Sequence, residues 1–294
     1  MADEIVRALA WGGQARIFAA VTTELVTEIQ RRHQTSITAT AAIGRAATAT
    51  AIMGAMLKGP EQLTVKIKGD GPCGSIVVDA NAKGEVRAMI DEPSAEVEPK
   101  ANGKLDVSSL VGYDGMLHVT KDLALKEPYI GSVPLISGEI GDDFTYYFAT
   151  SEQTPSAVGL GVLVNPTENG AQVVASGGFI IQLLPGMREE AIAEVEANIR
   201  ALPPLSALIN EGITAEELIL RLVPKAKVRG SLKPFFKCKC GRERVSQTLM
   251  SLGVIELNQM IEEIGEAEVV CQFCLEKYQF GRAELEDIVK ACMA

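Results

Sequence analysis

Histidine and the aromatic residues are scarce in this sequence, and each scarcity removes a class of function. The two histidines, His33 and His118, stand far apart, and neither has a second histidine or a clear carboxylate partner nearby. An ordinary surface or core residue is the simplest reading of each. Aromatic residues make up 5% of the chain, which leaves little surface on which bases could stack. The net charge is −10 and the pI about 4.9, so the basic footprint of a nucleic-acid-binding protein is missing. No G-x-x-x-x-G-K-[ST] loop and no G-x-S-x-G elbow occurs, so neither nucleotide hydrolysis nor serine-hydrolase chemistry announces itself. The sequence predicts no enzyme and no catalytic residue. The start, Met-Ala-Asp-Glu, lacks a basic stretch followed by an apolar one, so no signal peptide is predicted. Residues 39–57 are small and mostly apolar, but Arg45 and several threonines make them too polar for a bilayer span. No membrane partner is predicted.

What is present reads as an α+β protein: a large N-terminal β-sheet domain with packed helices (1–184), an amphipathic helical linker (185–230) and a small C-terminal metal-binding domain (231–294). Hydrophobic residues reach 47%, ample for a buried core. Residues 36–57 form a predicted buried helix, in which Ala42, Gly44, Ala46, Ala47, Ala51 and Gly54 would let another element approach closely; Gly59-Pro60 stops it. A β-meander follows at 63–68, 75–79 and 85–90, with a turn at 81–84. The run G-D-G-P-C-G at 69–74 spells G-x-G-x-x-G, but a strand rather than a helix follows it, so a glycine-rich turn is predicted and not a dinucleotide site. Residues 91–115 read as loop. Strands are predicted at 116–120, 129–137, 144–148 (F-T-Y-Y-F), 157–164 and 171–184, with a turn at 165–170. Beyond Pro185, residues 188–202 place Ile192, Val195, Ile199 and Leu202 on one helical face. Thr214-Ala-Glu-Glu217 is a capping box that opens a helix ending before Pro224. Such short amphipathic helices need a surface to pack on.

The chemistry is concentrated near the C-terminus. Cys238 and Cys240 form C-K-C, Cys271 and Cys274 form C-Q-F-C, and thirty residues lie between the pairs. Two thiol pairs joined by one folded segment can close a tetrahedral S4 site, which suits zinc at roughly 2.3 Å per thiolate. Lys237, Lys239, Arg242 and Arg244 crowd the first pair in sequence, and cations lower thiol pKa. The same sulfurs can instead form disulfides, so the site has two chemical states. A purely structural zinc knuckle, a zinc-ribbon adaptor and a thiol oxidoreductase acting through Cys271 and Cys274 all remain open on spacing alone. Helices are predicted at 245–250, 255–264 and 284–293, with a hairpin flanking the second pair. So small a unit normally needs a metal or disulfides to fold. Closely spaced thiols without an export signal predict the cytoplasm. Cys73 and Cys292 have no evident partner.

The thiol pattern, with F-K-C-K-C-G-R-E-R at 236–244, C-Q-F-C-L-E-K-Y at 271–278, G-D-D-F-T-Y-Y at 141–147 and G-G-F-I-I-Q-L at 177–183, resembles the heat shock protein 33 family of redox-regulated chaperonins over essentially the whole chain. The resemblance implies an ATP-independent holdase that binds unfolding client proteins under oxidative stress. It implies one zinc on Cys238, Cys240, Cys271 and Cys274 in the inactive reduced state. On activation by oxidants it implies disulfides Cys238–Cys240 and Cys271–Cys274, zinc release, unfolding of the C-terminal domain and linker, and a homodimer.

Overall fold

The structure, a computed structural model, describes residues 2–168 and 170–293. In chain order the elements of the N-terminal half are β1 (Glu4–Ala10), β2 (Ala15–Val21), α1 (Thr23–His33), α2 (Ile37–Ala55), β3 (Gln62–Lys68), β4 (Ser75–Asn81), β5 (Glu85–Ile90), α3 (Val107–Val111), β6 (Met116–Asp122), β7 (Tyr129–Pro134), α4 (Gly141–Thr150), β8 (Ser156–Thr167) and β9 (Gly170–Leu183). Then follow α5 (Glu189–Arg200), α6 (Leu205–Asn210), α7 (Ala215–Leu222), β10 (Lys227–Leu232), β11 (Phe235–Phe236), α8 (Arg242–Met250), α9 (Val254–Glu263), β12 (Glu266–Val270), β13 (Lys277–Gly281) and α10 (Arg282–Met293). The fold is α+β, as predicted. Two compact units divide it, Met1–Lys237 and Cys238–Ala294.

Two sheets and one central helix organise the first unit. The sheet orders are β10-β1-β2-β9-β8 and β11-β5-β4-β3-β6-β7. The predicted helix α2 packs on strands of both, and sixteen of its nineteen residues are buried. A helix enclosed all round must be apolar all round. Its threonines comply by bonding back along the helix: Thr48 donates to the Gly44 carbonyl at 2.8 Å and Thr50 to that of Ala46 at 2.7 Å. Gly44 has the predicted close neighbours, since a Cβ there would sit 2.8 Å from a methyl of Val26 and 3.1 Å from one of Val162. Ser36 caps the helix by accepting from the Ala39 N–H. His33 is a core histidine, with Nε2 2.9 Å from the Ala88 carbonyl.

One predicted strand is a helix. Residues 144–148 lie in α4, not in a sheet. The aromatic run favours β structure locally, but Phe144, Tyr147 and Phe148 are spaced for one helical face and all three are buried. Asp143 decides the matter. Its buried carboxylate accepts from the N–H groups of Ile136, Ser137 and Ile140 at 2.8–3.1 Å, which pins the helix start and lets Ile140 hold a left-handed φ of 48°. Strands β1 and β2 and the short helices α3 and α6 are not anticipated by the sequence. The turn predicted at 165–170 includes Asn169, which lies outside the described residues.

The glycine-rich run at 69–74 is a packing turn between β3 and β4. Gly71 and Cys73 donate to the carbonyls of Val111 and Leu110 at 3.0 and 3.2 Å. A Cβ on Gly69 or Gly71 would come within 2.3 Å of those same carbonyl oxygens. These amides are committed to the end of α3, not to a phosphate.

The segment after β9 lies on the outer face of the five-stranded sheet. Val195 of α5 and Leu218, Ile219 and Leu222 of α7 share a core with Val6, Ile17, Phe179 and Ile181. Thr214 and Glu217 form the predicted capping box, with Thr214 N–H donating to the Glu217 carboxylate at 2.8 Å and Glu217 N–H to the Thr214 hydroxyl at 3.1 Å. Helix α5 is the more weakly attached, because only Ala191 and Val195 of its twelve residues are buried. Beyond α7, β10 pairs antiparallel with β1, and β11 pairs parallel with β5. One stretch of chain thus closes an edge of each sheet.

The second unit packs α8, α9, α10 and the β12–β13 hairpin around nine buried apolar residues, among them Leu249, Leu257, Phe280, Leu285 and Ile288. Arg242 reaches from the start of α8 over the Phe280 ring at 4.5 Å and bonds Glu284 at 2.6 Å.

The role of Asp143 gives a test. We expect Asp143→Ala to lower the stability of the first unit by about 2–4 kcal/mol, since one buried and two partly buried donors lose their acceptor. Urea unfolding followed by the fluorescence of Trp11, the single tryptophan, measures it; an unchanged midpoint would contradict this role.

Candidate metal centre

The two thiol pairs arrive at one point from different local structures. Cys238 and Cys240 lie on the irregular stretch between β11 and α8, while Cys271 and Cys274 lie on the loop joining β12 to β13. That loop is closed by its own backbone. Cys271 N–H donates to the Glu276 carbonyl at 3.0 Å, Leu275 N–H donates to the Cys271 carbonyl at 2.8 Å, and Leu275 takes a left-handed φ of 58°. The ladder from Glu266↔Gly281 to Val270↔Lys277 holds the base of the loop rigid.

All four sulfurs lie within 4.8 Å of one another. Two contacts run between the pairs: Cys238 to Cys271 at 3.6 Å and Cys240 to Cys274 at 3.2 Å. A regular tetrahedron with sulfur about 2.3 Å from its centre has edges of roughly 3.8 Å. The cluster is therefore of the size that a four-thiolate metal ion requires. Cys274 is buried and the other three are half-buried, and all four are free thiols.

The electrostatics of the cluster suit a bound cation. Burial alone would raise the Cys238 thiol. Hydrogen bonds from the Cys240 backbone N–H and from the neighbouring thiols outweigh it and bring Cys238 down to about 7. Cys240 and Cys274 move the other way, first through burial; Cys238 and its negative charge add to the rise at Cys240, and the three neighbouring thiols add to that at Cys274. Adjacent thiolates repel, so full ionisation of the set is unfavourable until a metal supplies positive charge. The set fits a soft divalent ion, and each member would hold it through Sγ.

The cations expected to tune these thiols are engaged elsewhere in part. Lys237 bonds Glu85 at 2.5 Å and Arg242 bonds Glu284. The lowering at Cys238 comes from hydrogen bonds rather than from a basic side chain. One functional residue escaped the sequence reading. The Tyr278 hydroxyl donates to Cys240 Sγ at 3.3 Å. Its only signal is a tyrosine four residues beyond Cys274, on the strand that leaves the loop.

The two remaining cysteines stand apart from the cluster. Cys73 is buried beneath the glycine-rich turn, and burial pushes its thiol up to about 11. Cys292 lies half-buried on α10, 3.8 Å from the Met250 carbonyl. We expect Tyr278→Phe to weaken metal binding by about tenfold or more, because outer hydrogen bonds to ligands carry effects of that size. Competition with a chromophoric chelator measures it, and unchanged affinity would remove Tyr278 from the site.

Comparison with known proteins agrees with this geometry. A family model described as Hsp33 protein matches residues 3–281. A 33 kDa chaperonin of Brevibacillus brevis is 52% identical over 290 residues, covering 99% of this chain and 99% of that protein. One of Geobacillus kaustophilus is 52% identical over 290 residues, with 98% of each covered. Among solved structures, the 33 kDa chaperonin (heat shock protein 33 homolog) of Thermotoga maritima aligns with a TM-score of 0.91 at 34% identity, covering 100% of this chain and 99% of that one. Fold, thiol cluster and relatives converge: the chain belongs to the Hsp33 family of chaperones.

Proposed function

We propose that this chaperone is a redox-regulated, ATP-independent holdase of the cytoplasm, switched by the thiol cluster. In the reduced state Cys238, Cys240, Cys271 and Cys274 would hold one zinc ion. The ion, when bound, supplies four cross-links to a unit whose own core is small; comparable sites contribute apparent binding of about 10–16 kcal/mol to folding. Oxidation converts Cys238 with Cys240, and Cys271 with Cys274, into disulfides. For each pair, two thiols give up two protons and two electrons to one peroxide, which leaves as two waters. A disulfide sulfur carries no thiolate charge, so the donor set for the metal is lost.

In this reading the chain works as three parts: a core at 1–184, a linker at 185–230 and the switch at 231–294. Unfolding of the switch unit frees the chain that follows the linker, and the linker helices then leave the sheet. Their departure bares the linker's Leu218, Ile219 and Leu222 and the sheet's Ile17, Phe179 and Ile181, which are mutually buried in the folded state. Apolar surface of this kind binds unfolded polypeptide by the hydrophobic effect, which calls for no nucleotide. The active form is a homodimer, and its partners are unfolding client proteins rather than nucleic acid or membrane. Among the described residues no helix is long and apolar enough to cross a membrane.

The observation that carries this reading is the convergence of four sulfurs within 4.8 Å inside a unit of nine core side chains. The test is to follow zinc release with a colorimetric chelator during peroxide or hypochlorite treatment, alongside suppression of aggregation of an unfolded client. We expect about one zinc per chain, released in step with the gain in suppression. Zinc that stays bound, or leaves without any gain, would reduce the cluster to a structural site. We expect the double variant Cys73→Ser, Cys292→Ser to switch as the parent does; loss of switching would bring those thiols into the mechanism.

A further inference from the structure

The five-stranded sheet ends at β8, which pairs only with β9 in the strand order. The register decides which of its backbone groups are used. Leu183 N–H donates to the Pro155 carbonyl at 2.8 Å. By the two-residue alternation of an antiparallel ladder, Ala157, Gly159 and Gly161, opposite Ile181, Phe179 and Gly177, then face β9. Val158, Leu160 and Val162 therefore turn their N–H and C=O groups away from the sheet. No backbone hydrogen bond from elsewhere among the described residues meets them.

A cleft of about 820 Å³ runs along this edge, with residues 158–164 on one side. Gly141 and Asp142 at the start of α4 line another side, and Leu205 and Ser206 a third. Arg45 also lines the cleft. Its Nη1 bonds Glu139 at 2.8 Å, while its Nε is buried with no acceptor. Such an orphan donor is costly.

The chemistry that matches this cleft is a polypeptide main chain. Outward amide and carbonyl groups at a two-residue repeat are complementary to another extended strand. The half-buried side chains of Val158 and Leu160 favour an apolar segment. A nucleotide would want an aromatic wall, and no aromatic residue lines the cleft. The edge strand β7 of the six-stranded sheet, by contrast, is protected: Pro128 and Pro134 bracket it, and Pro134 offers no N–H. Strand β8 carries no proline before Pro166.

We infer that the outer edge of β8 is a docking site at which an extended apolar segment of a client adds as a further strand. The inference rests on the holdase reading and names a place where the client is held. It also includes regulation. Leu205 and Ser206 belong to the segment that the switch releases, and a Cβ on Gly161 would sit 2.7 Å from Ser206 N, so that segment covers the face of β8 beside the edge while the linker is folded. Release of the linker removes that wall of the cleft.

The test uses the full oxidised chain with urea-unfolded, carboxymethylated α-lactalbumin, which can neither refold nor exchange thiols. Amide hydrogen exchange at Val158, Leu160 and Val162 is expected to slow by about tenfold or more on client binding, while that at Ala157, Gly159 and Gly161, already bonded to β9, stays as it was. Leu160→Pro removes one outward N–H without touching the ladder to β9, and it is expected to weaken client binding by roughly tenfold relative to Leu160→Ala. If that variant does not fold, the exchange measurement on the parent chain decides alone. Client binding with unchanged exchange at the three outward amides would overturn the docking site and leave the holdase reading standing. No client binding by the oxidised parent chain would overturn the holdase reading itself. Slowed exchange at the three amides on oxidation without client, with no further change when client is added, would make the edge a self-association surface and overturn the proposal.

Discussion

A unit of roughly 60 residues is only marginally stable on its own apolar burial, and the Cys238–Ala294 unit is of that size. Its nine core side chains come from three helices and one hairpin. The four sulfurs join the chain just before α8 to the loop between β12 and β13, two stretches with thirty residues between them. A metal there would close a loop that spans more than half of the unit, and a cross-link over a long loop removes much freedom from the unfolded chain. The same clustered sulfurs can be oxidised in pairs to disulfides. Stability and sensitivity thus rest on one set of atoms, and that coincidence is the physical basis of the proposed switch.

The consequences of losing that cross-link depend on how the preceding chain is held. Strand β11 ends at Phe236, two residues before Cys238. With β10 it closes one edge of each sheet in the first unit. The helices before it lie on a sheet face through few side chains, α5 most weakly of all. By contrast, α2 is enclosed between the two sheets and the hydroxyls of Thr48 and Thr50 are satisfied within the helix. The first unit therefore contains a firm interior and a lightly attached cover, an arrangement in which the cover can leave without the interior.

Much of this was legible in the sequence, and the exceptions have a common cause. The buried helix α2, the capping box at Thr214, the hairpin around the second thiol pair and the thiol cluster itself are local patterns, and local patterns were read correctly. Residues 144–148 were misread because their β-prone aromatics also fit a helical face, and a buried carboxylate from Asp143 selected the helix. The pairing of β10 with β1 and of β11 with β5 joins residues more than a hundred positions apart, and periodicity holds no trace of such partners. The same is true at the thiol cluster. The convergence of the four cysteines was visible as spacing, but the Tyr278 hydroxyl on Cys240 and the engagement of Lys237 with Glu85 belong to the folded chain alone.

The account turns on whether change at the thiols is transmitted to the helices that cover the sheet. Amide hydrogen exchange of the full chain, reduced and zinc-loaded against peroxide-oxidised, measures that transmission directly, with strands β3, β4 and β6 as the internal reference. The account predicts that protection falls across residues 238–294 and across α5, α7 and β10 together, while the reference strands keep theirs. Full protection of α5 and α7 in an oxidised chain that nevertheless holds clients would contradict it.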